Sequence, residues 1–160
     1  MIINSLKDFS FFIKNFTLFV KNKLKKNKKL LILLEGPLGV GKTTFVKILA
    51  KNLGIKKVVN SPTFIIWQIY EFKINKEKFF LNHIDLYRIK PRDILKLSLS
   101  ESINKKGNLF VIEWGEKIKR YLNNWNIFYI EIKIKYKEKS KRKITLNGKN
   151  SYFRHKFFNL

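Results

Sequence analysis

Residues 30–46, LLILLEGPLGVGKTTFV, leave this chain few ways to fold. The centre, Gly36-Pro37-Leu38-Gly39-Val40-Gly41-Lys42-Thr43, matches the phosphate-binding pattern G-x-x-x-x-G-K-[ST] at every fixed position. Ahead of it, Leu30 to Leu34 is a short continuous apolar run, the pattern of a parallel strand buried on both faces. Behind it, Phe45, Ile48, Leu49 and Leu53 recur at helical spacing, and Gly54 supplies a C-terminal stop. Strand, glycine loop and helix come in the order that phosphate binding needs. The glycines let backbone N–H groups turn inward, and the helix N-terminus adds partial positive charge. In such a loop Lys42 reaches the β- and γ-phosphates and the Thr43 hydroxyl ligates Mg²⁺. The bland alternative, a chance glycine turn before a helix, is opposed by both flanks.

The rest of the composition sets bounds. A chain of 160 residues suits one domain with its own core. It has no cysteine, which excludes a disulfide framework and thiolate metal sites and suits a reducing compartment. The formal charge of +24 invites a nucleic-acid partner. However, 30 of the 35 basic residues are lysine, and alanine occurs once, at Ala50. Lysine, asparagine, isoleucine and phenylalanine share A/T-rich codons, so codon bias is the simplest account of the excess, and composition alone does not separate it from a charge that serves an RNA or other anionic partner. No run reaches the roughly 18 apolar residues of a membrane span. Lys7, Asp8 and Lys14 interrupt the first apolar stretch, unlike a signal peptide. A cytoplasmic protein with no membrane partner is expected.

Along the chain, Leu6, Phe9, Ile13, Phe16, Val20 and Leu24 predict an amphipathic helix over 6–24, with Ser5 and Asp8 at capping-box spacing. Ser61-Pro62-Thr63 precedes a strand predicted over 64–72, because Pro62 bars a regular central strand at its own position. A polar turn at 73–78 and a strand at 79–84 complete a hairpin. Pro91 to Leu99 reads as a short helix, 108–112 as a second buried strand, and 116–122 as another short helix. Residues 127–136 alternate as a half-exposed strand, and 142–146 pair with it. Residues 1–148 then make one domain, and 149–160 an aromatic and basic tail.

A phosphate-binding loop needs carboxylates at neighbouring strand ends, to hold Mg²⁺ and to position water. Of eleven acids, Asp85 and Glu113 each follow an apolar strand, where ligands sit in an open α/β sheet. Spacing does not divide their roles. Glu113 follows the more compact run and is favoured for Mg²⁺, which leaves Asp85 for the γ-phosphate side or for water. A helix cap or a surface ion pair is the plain alternative for either acid. His83 shares a face with Asp85 by alternation and reads as its structural partner. Arg88 is evenly balanced between phosphate contact and ion pair, and Trp114 between packing on the nucleotide region or a partner surface and a place in the core. Glu35, in the strand-to-loop turn, carries no assignment.

Taken in order, GPLGVGKTTFVKILAKNLGI, VNSPTFIIWQIYEF, HIDLYRI and VIEWGEKI resemble the TsaE (YjeE) family, small P-loop ATPases of threonylcarbamoyladenosine (t6A) synthesis on tRNA. The resemblance covers about residues 30–119. It implies an α/β P-loop NTPase-like three-layer sandwich, with a mainly parallel central sheet and antiparallel hairpin additions. It implies that Leu38, Gly39, Val40, Gly41, Lys42, Thr43 and Thr44 bind ATP phosphates. Thr43 and Glu113 would ligate Mg²⁺, Asp85 would lie at the γ-phosphate and serve hydrolysis, and Ser61, Pro62, Thr63 and Phe64 would form a switch-like segment. It implies weak ATP hydrolysis alone, stimulation by a TsaB–TsaD pair, and proximity to tRNA in that complex. The Ser5 region is the candidate adenine contact. Pro37 stands where the family commonly has Asp, and the leucine-rich segment after Arg88 lacks the usual acidic residues. The rival reading is a small P-loop kinase of a metabolite or nucleotide; no arginine-bearing lid insertion supports it.

Overall fold

The computed structural model describes residues 1–125, 128–138 and 141–148. Among these, seven strands form one sheet: β1 (Ile2–Ile3), β2 (Lys29–Glu35), β3 (Trp67–Ile74), β4 (Glu77–Asp85), β5 (Asn108–Glu113), β6 (Tyr129–Tyr136) and β7 (Arg142–Gly148). Their spatial order is β1-β7-β6-β2-β5-β4-β3. The four central strands β6-β2-β5-β4 are parallel. Antiparallel pairs close both edges, β3 on β4 at one side and β6-β7-β1 at the other. This is the parallel core with hairpin additions that the sequence predicts.

Helices α1 (Leu6–Asn27) and α2 (Lys42–Leu53) cover one face. The other carries α3 (Leu99–Asn104) and two 3₁₀ segments, Pro91–Leu97 and Gly115–Asn124. Strand β2 shows why its apolar run is unbroken. Leu30, Ile32 and Leu34 face the α1–α2 layer, whereas Leu31 and Leu33 face the opposite one. All five are fully buried, each contributing about 2 kcal/mol on transfer from water. Burial on both faces is what a central parallel strand requires.

Helix α1 runs three residues beyond its predicted end. Ser5 Oγ accepts the Asp8 amide at 3.1 Å, as the capping spacing predicts. The return bond goes one residue earlier, from the Asn4 amide to Asp8 Oδ2 at 3.1 Å. Its stripe of Phe9, Ile13, Phe16, Val20 and Leu24 packs on α2, with Phe16 edge-on to Phe45 at 5.7 Å.

The structure corrects the strand predicted over 64–72. Residues 63–66 form a turn, and β3 begins at Trp67. The amides of Ile65 and Ile66 both donate to the Pro62 carbonyl, and Ile66 adopts φ 67°. That left-handed geometry breaks the extended pairing before the ladder starts. The hairpin that follows is tighter than predicted. Asn75 and Lys76 take φ 51° and 68°, a two-residue turn whose twist matches the flanking strands. The helix predicted from Pro91 to Leu99 is a 3₁₀ segment that ends at Leu97, because Ser98 turns at φ 48° and starts α3. The strand over 127–136 begins at Tyr129, and Ile127 and the 149–160 tail lie outside the described residues. Among the described residues, no helix is long and apolar enough to cross a membrane.

Candidate functional site

The loop between β2 and α2 lies at the carboxyl ends of the parallel strands, where open α/β sheets place their ligands. Gly36 opens it at φ 142°, and a Cβ there would lie 2.2 Å from the Ile134 carbonyl oxygen of β6. Only glycine lets the loop leave β2 past that strand. The chain turns again through positive φ at Gly39 and Gly41, and α2 starts at Lys42 with no side chain capping it. The free amides of that first turn therefore face the loop's hollow. Val40 turns its side chain into the core and donates its amide to Pro37, whereas Leu38 rides exposed at the rim.

The loop is braced from behind by a hairpin that carries no recognisable motif. Tyr136 of β6 donates its hydroxyl to the Leu38 carbonyl at 3.2 Å. Arg142 of β7 donates Nε to the Val40 carbonyl at 3.3 Å, with its guanidinium 4.4 Å above the Tyr136 ring. Sequence reasoning missed both residues, since nothing local marks a tyrosine or arginine in an alternating strand as a loop brace.

Lys42 is 4% exposed. Its ammonium donates to the carbonyls of Gly36 at 2.7 Å and Pro37 at 2.8 Å, and lies 3.9 Å from the centre of the Trp114 ring. Burial pulls its pKa below the ordinary value of 10.5, and Glu113, Glu116 and Asp85 partly oppose that. Of three ammonium donors, one remains for a ligand. Trp114 itself takes the left-handed conformation at φ 61°, directly after β5. The next residue, Gly115, lies so close to β2 that a Cβ would stand 2.6 Å from the Leu33 Cβ. That contact seats the indole over the lysine.

Parallel register sets Asp85 beside Glu113 at the ends of β4 and β5. Period-two alternation turns both carboxylates toward the α2 face, with Val111 and Leu81 below them. Glu113, 2% exposed, accepts the Thr43 hydroxyl on Oε2 at 3.1 Å. Its Oε1 meets His83 Nε2 at 2.8 Å. The predicted partnership of His83 with Asp85 is thus corrected: the ring crosses to the neighbouring strand. Asp85, 4% exposed, accepts the Tyr87 amide on Oδ1 at 2.9 Å, and the hydroxyls of Thr63 and Ser61 on Oδ2. Phe64 is 80% exposed and lies under the Arg88 guanidinium at 4.3 Å. Arg88 therefore stacks on an aromatic ring, and among the described residues it makes no ion pair. Pro62 is buried, and its carbonyl organises the turn.

These side chains enclose a cleft of about 220 Å³, lined by the glycine loop, Thr43, Thr44, Ser61, Thr63, Asp85, Glu113 and Trp114. A second cavity of about 200 Å³ lies across the loop, between Ser5, Phe9, Thr44 and Arg142. Among the described residues, no cluster of three or more His, Cys, Asp or Glu side chains could by itself hold a metal. The Thr43 hydroxyl and one Glu113 oxygen nevertheless fit Mg²⁺. This hard cation is commonly held by one or two protein oxygens, with phosphate and water completing its octahedron.

A glycine loop between a buried parallel strand and a helix, with two carboxylates at adjacent strand ends, defines a P-loop NTPase fold. The crystal structure of Bacillus subtilis YdiB has the same fold, with a TM-score of 0.65 and 24% identity, over 96% of this chain and 86% of that one. A family model described as threonylcarbamoyl adenosine biosynthesis protein TsaE matches residues 13–144, and the chain belongs to the TsaE family. Among similar curated proteins, the Nostoc tRNA threonylcarbamoyladenosine biosynthesis protein TsaE is 41% identical over 90 residues, 54% of this chain and 53% of that protein. The chain thus spans about half the length of that relative. The Borreliella burgdorferi protein of the same name is 35% identical over 119 residues, 74% of this chain and 81% of that protein.

Proposed function

We propose that this chain is a Mg²⁺-dependent ATPase of the tRNA t6A37 modification machinery, acting with a TsaB–TsaD pair. One observation supports this most: in a TsaE-family chain, Thr43 and Glu113 share a hydrogen bond opposite Asp85, around an intact phosphate loop. The loop amides and the third donor of Lys42 would bind the β- and γ-phosphates. Thr43 and Glu113 would hold Mg²⁺, which when bound neutralises charge developing on the transferred phosphoryl group. Asp85, held by Thr63 and the Tyr87 amide, would orient the attacking water. The cavity beside Ser5 and Phe9 is where the adenine would lie.

The Ser61 and Thr63 hydroxyls end on the same Asp85 oxygen, so the exposed segment with Phe64 would respond to a γ-phosphate bound beside Asp85. A partner that presses on this segment would complete the water-positioning group, and the chain alone would then hydrolyse ATP slowly. Substrate and partner are tested together by measuring ATP hydrolysis with and without TsaB–TsaD, for wild type, Lys42→Ala and Glu113→Ala. Slow wild-type turnover that rises at least tenfold with the pair, and is lost in both variants, is expected. Fast turnover indifferent to the pair, or transfer of phosphate to a small acceptor, would overturn the assignment in favour of a kinase.

A further inference from the structure

His83 is fully buried in β4 and does not line the cleft. Buried behind the cleft lining, it is placed to act through a neighbouring side chain. Its one polar contact among the described residues is Nε2 to Glu113 Oε1 at 2.8 Å, and its Nδ1 has no hydrogen-bond partner there. A proton on Nε2 satisfies this arrangement best: the ring donates to the carboxylate, and Nδ1 remains a bare acceptor among apolar neighbours. A proton on Nδ1 alone would bury an unpaired donor and set two acceptors against each other.

The consequence falls on Glu113. Glu113 is 2% exposed, and its Oε1 lies on the buried side against the His83 ring. With Oε1 fixed by the ring, Oε2 is left facing the Thr43 hydroxyl at 3.1 Å. We propose that His83 is a positioning residue, which orients the Glu113 carboxylate so that its second oxygen and the Thr43 hydroxyl form one divalent-cation site. This rests on reading the cleft as a Mg²⁺–nucleotide site. It adds a requirement to that reading: the pair of oxygens is competent only while a donor sits behind the carboxylate. Outer partners of this kind typically contribute about 10-fold to 100-fold in metal affinity.

The test is equilibrium binding of a fluorescent, non-hydrolysable ATP analogue to the full chain, first in EDTA and then across a Mg²⁺ titration. Four proteins are compared: wild type, His83→Leu, His83→Asn and His83→Gln. Glutamine carries its amide N–H at about the reach of Nε2, asparagine falls short, and leucine has no donor. Leucine and asparagine should raise the Mg²⁺ concentration for half-maximal tightening roughly tenfold. Affinity in EDTA should stay within about twofold of wild type, because the phosphate loop is untouched. Glutamine should restore the Mg²⁺ midpoint to within about threefold of wild type.

An unchanged midpoint in the leucine variant, or a glutamine variant that behaves like leucine, would overturn the proposal. Thermal unfolding of each variant is read alongside. If the leucine variant does not unfold cooperatively, the asparagine–glutamine pair decides by the same criterion. Should wild type itself bind the analogue with no Mg²⁺-linked tightening, the nucleotide reading fails, and the role of His83 falls with it. That failure appears in wild type alone, so it is distinguishable from a failure in the variants.

Discussion

The two walls of the cleft are built on opposite principles. One wall is the glycine loop. It is a single contiguous stretch, locked by the Gly36 approach to β6 and braced by Tyr136 and Arg142. The other wall is Asp85 with Ser61 and Thr63, residues 22 and 24 positions away in sequence and joined through side-chain hydroxyls. The first is held by backbone geometry and core packing. The second hangs on a few hydrogen bonds, beneath an exposed Phe64 and an Ile66 at φ 67°, an unfavourable conformation for a β-branched residue. A preformed cradle suits tight phosphate binding, and a lightly held wall suits a segment whose position changes with what is bound.

The contrast can be broken most sharply by one substitution in each wall. Asp85→Asn should lower ATP turnover by about 100-fold while leaving nucleotide affinity within about threefold. Lys42→Ala should instead weaken nucleotide binding at least tenfold, measured by the same titration. If both variants lose affinity equally, the walls are not functionally distinct.

Rigidity is tested next. Gly36→Ala forces a methyl group against the Ile134 carbonyl at a backbone angle that L-residues avoid. It should cost about 3 kcal/mol and lower the melting temperature by roughly 10 °C. Thr63→Ala, in the lighter wall, should cost under about 1 kcal/mol of stability yet reduce turnover roughly tenfold. Tyr136→Phe removes one hydrogen bond to the loop and should cost about 1 kcal/mol, with a twofold to fivefold loss of nucleotide affinity.

The smallest effect is pH-dependent and sharpens the assignment of Lys42. Burial lowers its pKa in the folded chain, so between that value and 10.5 the unfolded chain holds the extra proton. Its contribution to stability therefore rises with pH through that window. Nucleotide affinity should move in the opposite direction, because a phosphate favours the charged amine and binding takes up a proton there. Titrations through the alkaline range up to the ordinary lysine value of 10.5, set against Lys42→Ala, should show opposite slopes for melting temperature and affinity.

The linear chain determines every element whose cause is local. The glycine spacing, the apolar run before it and the helical stripe after it specify a phosphate loop before any tertiary contact forms. The two acids could be found because each ends an apolar strand, and strand ends are where parallel sheets place ligands. Local pattern failed where a turn competes with β-propensity. Phe64, Ile65 and Ile66 are strong strand formers, yet the Pro62 carbonyl captures two of their amides and delays β3 to Trp67.

Only the folded sheet decides which side chains meet. Asp85 and Glu113 are neighbours because β4 and β5 pair in parallel register, a long-range choice that no spacing encodes. His83 joins Glu113 rather than Asp85 because the facing strand offers a buried acceptor at hydrogen-bond distance, while Asp85 is already held by the Tyr87 amide and two hydroxyls. Tyr136 and Arg142 become part of the site because β6 lies next to β2 and carries β7 with it. Sequence patterns record what a residue does to its neighbours in the chain. Partnerships between strands follow from burying all apolar faces at once, and that is settled only when the whole sheet closes.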